Sequence, residues 1–398
     1  MVDQRSEFLS EWRWSGLTKA ALCRVFGISR QTGYKWARRA KLERSIAEHS
    51  RRPKRSPNRT PGKLVRLILS KRKQYPRWGP IALRELLKRD WPQTKWPATS
   101  TIGDILKRHG MVKPRRFRKR VPPRTNPFSS CREPNDVWCV DFKGQFAMGN
   151  GHTCYPLTVM DAASRFLLAC TGFHEPSFAN VKRVFDELFL RYGLPKAIRS
   201  DNGEPFASAG AVGGLTQLAA WWVRLGIRLE RIDPGKPQQN GRHERMHLTL
   251  KQATCLPPRR SMGWQQRAFD RFRAEYNEIR PHQSLGLKTP ASLYKASARA
   301  LPEQLPTLQY PFADIHRVRS DGTIRIGLRN QFISSTLVGE MVGVYAISDR
   351  FCEVRYADLL LGCIDFRNGN GNPRKNLVRP RPPHGGKRST KLSAMSPV

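Results

Sequence analysis

Three acidic residues stand out in a chain that contains few acids. The sequence has 72 lysines and arginines against 31 aspartates and glutamates, giving a formal net charge of +41. Asp141 lies inside the apolar run VWCVDFKG, Asp201 ends a short strand-like segment, and Glu244 lies early in a basic, helix-like segment. A carboxylate inside an apolar strand is costly to bury unless it is ionised against a metal or hydrogen-bonded.

Carboxylates that meet at the rim of a sheet could bind divalent cations and act on phosphates. They are the hard oxygen ligands that Mg²⁺ prefers, with water and phosphate oxygens completing the shell. Two such ions, about 3.5–4 Å apart, activate a water or a 3′-hydroxyl and stabilise the leaving oxygen in phosphodiester transfer. The positive charge of the chain favours a nucleic-acid partner, because phosphate contacts dominate nucleic-acid affinity.

Each acid also has an ordinary structural explanation. Asp201 precedes Asn-Gly and could form a turn. Glu244 could pair with a neighbouring base on the helix surface, an interaction of little energetic consequence. Asp161 competes as a ligand, although an N-cap or turn role explains it well, and Glu230 and Asp233 compete for the third position. Asp141 is the hardest to explain away, since aspartate is depleted in strands.

The region 135–300 must position these residues, and its pattern predicts a mixed α/β sheet, as three adjacent strands are followed by alternating helices and strands. The predicted strands are Val137–Met148, Cys154–Asp161, Arg165–Phe173, Pro195–Asp201 and Ile227–Ile232, with a hairpin turn at Asn150–Gly151. The predicted helices are Phe178–Tyr192, Gly214–Leu225 and Gln239–Gln252. His243 and His247 on the last helix are expected to be surface or phosphate-contacting histidines rather than metal ligands.

Residues 1–50 predict a helix-turn-helix unit. Ala20, Ala21 and Val25 have helical spacing, Gly27 suits a tight turn, and Ser29 suits the N-cap of a basic second helix. Such a second helix enters the major groove, so four side chains could contact DNA: Arg30, Gln31, Thr32 and Lys35. A helical hairpin with a solvated basic face is the alternative.

The remaining segments alternate between structured and basic stretches. Residues 51–60 form a basic linker, 61–112 a second helix-turn-helix or winged-helix-like domain or a helical spacer, and 306–367 a small β-barrel. Residues 368–398 are expected to be a disordered basic tail. The linker 113–134 is expected to follow DNA phosphates through Arg115, Arg116, Arg118, Lys119 and Arg120.

The eight cysteines include no C-x-x-C pair and no zinc-binding spacing, and no apolar stretch approaches a membrane span. These features argue against a disulfide-rich secreted protein or a membrane protein. A reduced cytoplasmic compartment in association with the nucleoid is the expected location.

Four motifs occur in order: VWCVDFKG, IRSDNG, QQNGRHERMH and YNEIRPHQSL. Together they resemble the integrase core of bacterial insertion-sequence transposases, which belong to the retroviral-integrase superfamily with an RNase H-like fold and a DDE triad. The resemblance implies that Asp141, Asp201 and Glu244 are the catalytic ligands of two Mg²⁺ or Mn²⁺ ions. The interval before Glu244 is longer than in many members, and the stretch 207–214 could absorb the excess as a loop.

The resemblance also implies a function. The protein is expected to bind the terminal inverted repeats of an insertion sequence, free a 3′-hydroxyl, and join it to target DNA without a covalent protein–DNA intermediate. Arg242, Arg245 and Lys251 would contact phosphates of double-stranded DNA, and pairing two element ends would require at least a dimer. The alternatives are a catalytically silent DNA-binding regulator and an RNase H-like nuclease.

Overall fold

The computed structural model describes residues 2–43, 59–112, 131–201, 203–208, 214–231, 241–327, 329–366 and 377–378. The chain divides into two compact units, 1–61 and 62–398. Most of the two predicted linkers lies outside the described residues. So does most of the predicted disordered tail, although it contains a two-residue strand, Leu377–Val378, that pairs with the strand Leu359–Asp365.

The first unit consists of helices α1 (Val2–Trp14), α2 (Lys19–Val25) and α3 (Arg30–Glu43) around a small core that contains Phe8, Leu22 and Cys23. The predicted turn is present: Gly27 has a φ of +64°, and the hydroxyl of Ser29 accepts a hydrogen bond from the amide of Thr32. The helix predicted from the spacing of Ala20, Ala21 and Val25 is present, although it buries Leu22 and Cys23 and leaves Val25 71% exposed.

The second unit begins with three helices, α4 (Gly62–Gln74), α5 (Pro80–Asp90) and α6 (Thr99–Arg108). We call these three helices the helical module. Their apolar faces enclose Ile68, Leu87 and Ile105, with Trp78 and Trp96 at the edges of the same core. Residues 59–112, all of which the structure describes, contain no strand, so this segment has no wing.

A mixed sheet forms the centre of the second unit, as predicted. Its strands are β1 (Val137–Phe142), β2 (Phe146–Ala147), β3 (Thr153–Asp161), β4 (Leu167–Phe173), β5 (Ala197–Ser200) and β6 (Arg228–Arg231). The order is β4-β3-β1-β5-β6, with β3 antiparallel to β1 and β4, and β5 parallel to β1 and β6. This arrangement confirms the expected RNase H-like core. The predicted strand 137–148 is two strands, because the chain leaves the ladder at Lys143 and Gly144 takes a positive φ.

Helices cover both faces of this sheet. α7 (Phe178–Tyr192) and α8 (Gln217–Arg224) pack on one face around Trp138, Phe185 and Trp222. α9 (Gly241–Leu250) and α10 (Met262–Ala274) pack on the other face around Cys170, Met246 and Phe269. Each of α9 and α10 continues into a π-helical turn, Lys251–Cys255 and Glu275–Ile279.

The C-terminal region is all β, and it packs against α8. Strands β7 (Asp314–Arg317), β10 (Met341–Ala346), β11 (Phe351–Tyr356), β12 (Leu359–Asp365) and β13 (Leu377–Val378) form one antiparallel sheet, and β8 (Thr323–Ile326) pairs with β9 (Arg329–Phe332) as a separate hairpin. The predicted strands are present. A closed barrel is not confirmed, because no pairing among the described residues joins the two ends of the sheet.

Candidate active site

Asp141 lies on β1 and faces the side of the sheet that α9 covers. Trp138 and Val140, which alternate with it, pack into the core on the α7 and α8 side. The Oδ2 atom of Asp141 lies 3.7 Å from Nδ1 of His247 on α9, and the Asp141 side chain is 22% exposed. The carboxylate is therefore held against α9 at a half-buried position.

Asp201 and Glu244 both contribute to the electrostatic environment of Asp141. Burial raises the pKa of Asp141 to about 7, and the negative charge of Asp201 is the next largest contribution, with a smaller one from Glu244. Burial also raises the pKa of Asp201, which accepts a 3.3 Å hydrogen bond from the amide of Gly203 just after β5. The acids thus share one electrostatic environment, which is the property a cation site requires.

Glu244 occupies the first turn of α9 and is exposed. His247 and Lys251 follow it by three and seven residues, so all three side chains lie on the same flank of the helix. Because His247 contacts Asp141, this flank is the one that faces β1. We call it the catalytic flank of α9.

A buried hydroxyl connects β3 to α9 beneath Asp141. Thr158, which is paired with Asp141 across the sheet, lies 2.6 Å from Nε2 of His243 and 2.7 Å from Nε2 of His247. Its single hydrogen is donated to the carbonyl oxygen of Asp141 at 3.1 Å, so both imidazoles must donate to the hydroxyl. Thr158 therefore ties two histidines of α9 to the strand that carries Asp141.

The expectation that His243 and His247 are surface histidines is wrong. Both are buried, and burial lowers the pKa of His243 to about 3 and that of His247 to about 2, so both are neutral. Their spacing of four residues on one helix was the signal for a shared inward face. Thr158 was missed altogether, although a hydroxyl in an apolar strand indicates a buried polar contact.

Two rival acids have other roles. Glu230 on β6 forms a salt bridge of 2.6 Å with Arg199 and one of 3.1 Å with Arg228, so its carboxylate is already neutralised. Asp161 accepts hydrogen bonds from the amides of Asn135 and Ser164, which is the turn role expected for it. Asp233 lies outside the described residues.

The predicted DNA contacts fall in different places. Arg30, Gln31 and Lys35 are exposed on α3 and Thr32 is half-buried there, whereas Lys251 is exposed on the catalytic flank of α9. Arg242 and Arg245 lie on the opposite flank of that helix, and Arg242 donates a 2.9 Å hydrogen bond to the carbonyl of Ala162. The arginines and lysine predicted in the linker lie outside the described residues: Arg115, Arg116, Arg118, Lys119 and Arg120.

The donor chemistry of the three acids fits divalent cations. All three supply carboxylate oxygens, and burial raises the pKa of Asp141 and of Asp201, with a further contribution from nearby negative charge at Asp141 alone. In the part of the chain that the structure describes, no three His, Cys, Asp or Glu side chains form a ready-made metal cluster.

Comparison with known proteins identifies similarity to integrase core domains in the region that forms the mixed sheet. Two family models, both described as integrase core domain, match residues 132–237 and 225–290. The chain carries an integrase core domain. The integrase core contains all three acids, and the predicted resemblance to insertion-sequence proteins is confirmed by two bacterial relatives described next.

Two bacterial insertion-element proteins are similar to this chain over about two thirds of its length. The chain is 29% identical over 256 residues to an uncharacterized protein of insertion element IS476 from Xanthomonas euvesicatoria, covering 64% of this chain and 70% of that protein. It is 28% identical over 265 residues to an uncharacterized protein of insertion element IS407 from Burkholderia multivorans, covering 65% and 90% respectively. A solved HTLV-2 integrase catalytic core domain overlaps 41% of this chain and 97% of its own, with 14% identity and a TM-score of 0.33.

No helix among the described residues has the length and apolar character needed to cross a membrane.

Proposed function

We propose that this protein is a DNA transposase that binds the ends of an insertion sequence and joins them to target DNA. The observation that carries the proposal is the placement of the three acids on neighbouring elements of an integrase core match: Asp141 on β1, Asp201 directly after the adjacent parallel strand β5, and Glu244 in the first turn of α9. The net charge of +41 supports a polyanionic substrate.

Asp141, Asp201 and Glu244 would together hold two Mg²⁺ or Mn²⁺ ions. Bound there, the cations would supply activation of a water or a 3′-hydroxyl and neutralise the leaving oxygen. The Thr158 hydroxyl, with His243 and His247, fixes the position of α9 relative to β1. The acids on these two elements would therefore keep their relative positions. Because both histidines are neutral, they add no positive charge that would compete for the carboxylates.

Basic residues around the core would hold the DNA. Lys251 is exposed two turns after Glu244 on the catalytic flank and would contact a phosphate beside the reacting bond. α3, with Arg30, Gln31 and Lys35 exposed, would read the terminal repeats in the major groove. The C-terminal β region would clamp DNA or assist assembly of at least a dimer, in the bacterial cytoplasm at the nucleoid.

A strand-transfer assay tests the proposal. A duplex with a pre-nicked element end is incubated with supercoiled target DNA and Mg²⁺. We expect joined products that disappear in Asp141→Asn, Asp201→Asn and Glu244→Gln. Glu230→Gln is the matched control, since it removes one nearby carboxylate charge that already has arginine partners, and it should still join wherever it folds.

Other outcomes identify the alternatives. Cleavage without joining would indicate a nuclease, and tight binding without any chemistry would indicate a regulator. Joining that survives in Glu244→Gln would move the third ligand away from Glu244.

A further inference from the structure

A cavity with a volume of about 620 Å³ lies between the helical module and the integrase core. Its walls come from the turn between α4 and α5, the start of α9, and the segment that follows α10. Five arginines line it: Arg77, Arg165, Arg242, Arg245 and Arg280. No acidic residue is among the described residues that line it, and we call it the arginine cavity.

Four of the five arginines in the arginine cavity lack a salt bridge within the described part of the chain. Arg77, Arg165, Arg245 and Arg280 form no salt bridge with any carboxylate that the structure describes. The buried Nε of Arg165 has no hydrogen-bond partner there either. The nearby acid Glu275 accepts a 2.9 Å hydrogen bond from the indole of Trp78 instead.

The positive charges of neighbouring guanidinium groups in the cavity also repel one another. Burial lowers the pKa of Arg165, and the positive charge of Arg242 lowers it further. Burial likewise lowers the pKa of Arg280; Tyr276 and Glu275 partly offset this effect, and the positive charge of Arg245 adds to it. A cluster of like charges held in a partly desolvated cavity is stabilised by an anion that contacts several of them at once.

Two helix starts add positive potential to the same cavity. α5 begins at Pro80, and its N-cap Gly79 offers no side chain to receive the first amide groups. α9 begins at Gly241, and Gly79, Pro80 and Gly241 all line the cavity. The amide groups in the first turn of a helix point outward and favour anions, phosphates in particular.

The arginine cavity is separate from the acid site. Arg242, Arg245 and Thr249 line it from one flank of α9, whereas Glu244 lies on the catalytic flank. Residues two apart on a helix are rotated by about 200°, so Arg242 and Glu244 point to nearly opposite sides. An anion in the cavity is therefore not the phosphate that reacts.

We propose that the arginine cavity binds backbone phosphates of a DNA strand at the junction of the helical module and the integrase core. The proposal rests on the proposed function for the identity of the polyanion. Planar guanidiniums that approach from several walls suit the tetrahedral, multiply accepting phosphate group, which they bind in a forked geometry. Bound DNA would then fix the helical module relative to the catalytic flank.

The test compares two double variants of the full-length protein. Arg77→Gln with Arg245→Gln removes two charges from the cavity. Arg89→Gln with Arg271→Gln removes two exposed charges elsewhere on α5 and α10. Affinity for a duplex oligonucleotide is measured across a range of salt concentrations. Thermal unfolding is measured with and without inorganic pyrophosphate, a probe for free phosphate compounds.

We expect the cavity variant to reduce the slope of log K against log salt by about 1 to 2, because each lost phosphate contact removes about one released counterion. The control variant should keep the slope of the unmodified protein. Without DNA, the cavity variant should unfold at the same temperature or a higher one, because it relieves repulsion. Pyrophosphate should raise the unfolding temperature of the unmodified protein and not that of the cavity variant.

Other results would contradict either the cavity proposal or the proposed function, and the two failures can be distinguished. An unchanged slope with pyrophosphate protection would make the cavity a site for free phosphate compounds and not for DNA. Equal losses in both double variants would reduce the effect to overall charge. If the unmodified protein joins DNA ends while the slope stays unchanged, only the cavity proposal fails. If the slope falls and no joining occurs, only the proposed function fails.

Discussion

Replacing Asp141 by asparagine should stabilise the integrase core while it abolishes cation binding. The pKa of Asp141 is raised from 3.8 to about 7 in the folded protein. A difference of about 3 pKa units corresponds to roughly 4 kcal/mol of unfavourable free energy for the ionised, folded form, as an upper bound. Asparagine has nearly the same shape and carries no charge, so the variant escapes this penalty.

The sign of the pH dependence follows from the direction of the shift. Between pH 4 and pH 7 the folded state keeps a proton on Asp141 that the unfolded state releases, so the free energy of unfolding falls as pH rises through this window. The penalty is complete above pH 7 and absent below pH 4. The advantage of Asp141→Asn should therefore grow from nothing at pH 4 to a few kcal/mol at pH 8.5.

Hydrogen–deuterium exchange of β1 and β3 peptides in increasing urea measures the opening of the core separately from that of the first unit. The experiment is done in EDTA and repeated with Mg²⁺. In EDTA at pH 8.5 we expect the variant to open at higher urea than the unmodified protein. Added Mg²⁺ should stabilise the unmodified protein alone.

Asp136→Asn is the matched control with the opposite sign. Burial alone would raise the pKa of Asp136, but hydrogen bonds from Lys196 and from the amides of Glu133 and Arg132 lower it below its usual value. The ionised Asp136 side chain stabilises the fold at pH values above the usual carboxyl pKa, and this stabilisation is lost as pH falls. Asp136→Asn should therefore destabilise the core at pH 8.5. If Asp141→Asn were equally destabilising there, the reasoning about unfavourable charge at Asp141 would be refuted.

Three further substitutions probe the surroundings of the site and the first unit. Thr158→Val should destabilise the core by about 2–5 kcal/mol, because it leaves two buried imidazole donors without an acceptor, whereas Thr158→Ser should be much milder in urea denaturation. Glu230→Gln should lower stability by about 1–3 kcal/mol and leave the protein folded, because Arg199 loses an ionic partner but keeps an amide oxygen as acceptor, and a loss below about 0.5 kcal/mol would show the pair to be unimportant. Gly33→Ala should destabilise the first unit by about 1–3 kcal/mol, because its Cβ would lie 2.7 Å from Sγ of Cys23, and exchange in α2 and α3 peptides, but not in β1, should increase.

The fold was predictable from sequence where one periodicity dominated. The alternating strands and amphipathic helices of the core gave the mixed sheet, because each element shows which face it buries. The split of the first predicted strand into β1 and β2 was not visible in the sequence. It depends on which residues of β3 pair with β1 and which pair with β2. Closure of the C-terminal strands was also beyond reach, because it depends on pairings between segments distant in sequence.

The unusual position of Asp141 was predictable from sequence, and its surroundings were not. Asp141 stood out as a carboxylate in an apolar strand, and the structure places it against α9. The Thr158 contacts and the arginine cavity required tertiary structure, because their members come from separate elements of the chain. Val25 shows the same limit, since its helical spacing was compatible with either face of α2.

The central claim is that Asp141, Asp201 and Glu244 jointly bind two divalent cations next to DNA. The most direct measurement is the number of Mn²⁺ ions bound per chain, counted by electron paramagnetic resonance in the presence of duplex DNA. We expect two ions for the unmodified protein and for Glu230→Gln, and fewer for Asp141→Asn, Asp201→Asn and Glu244→Gln. Two ions retained in Glu244→Gln, or none bound by the unmodified protein, would contradict the account.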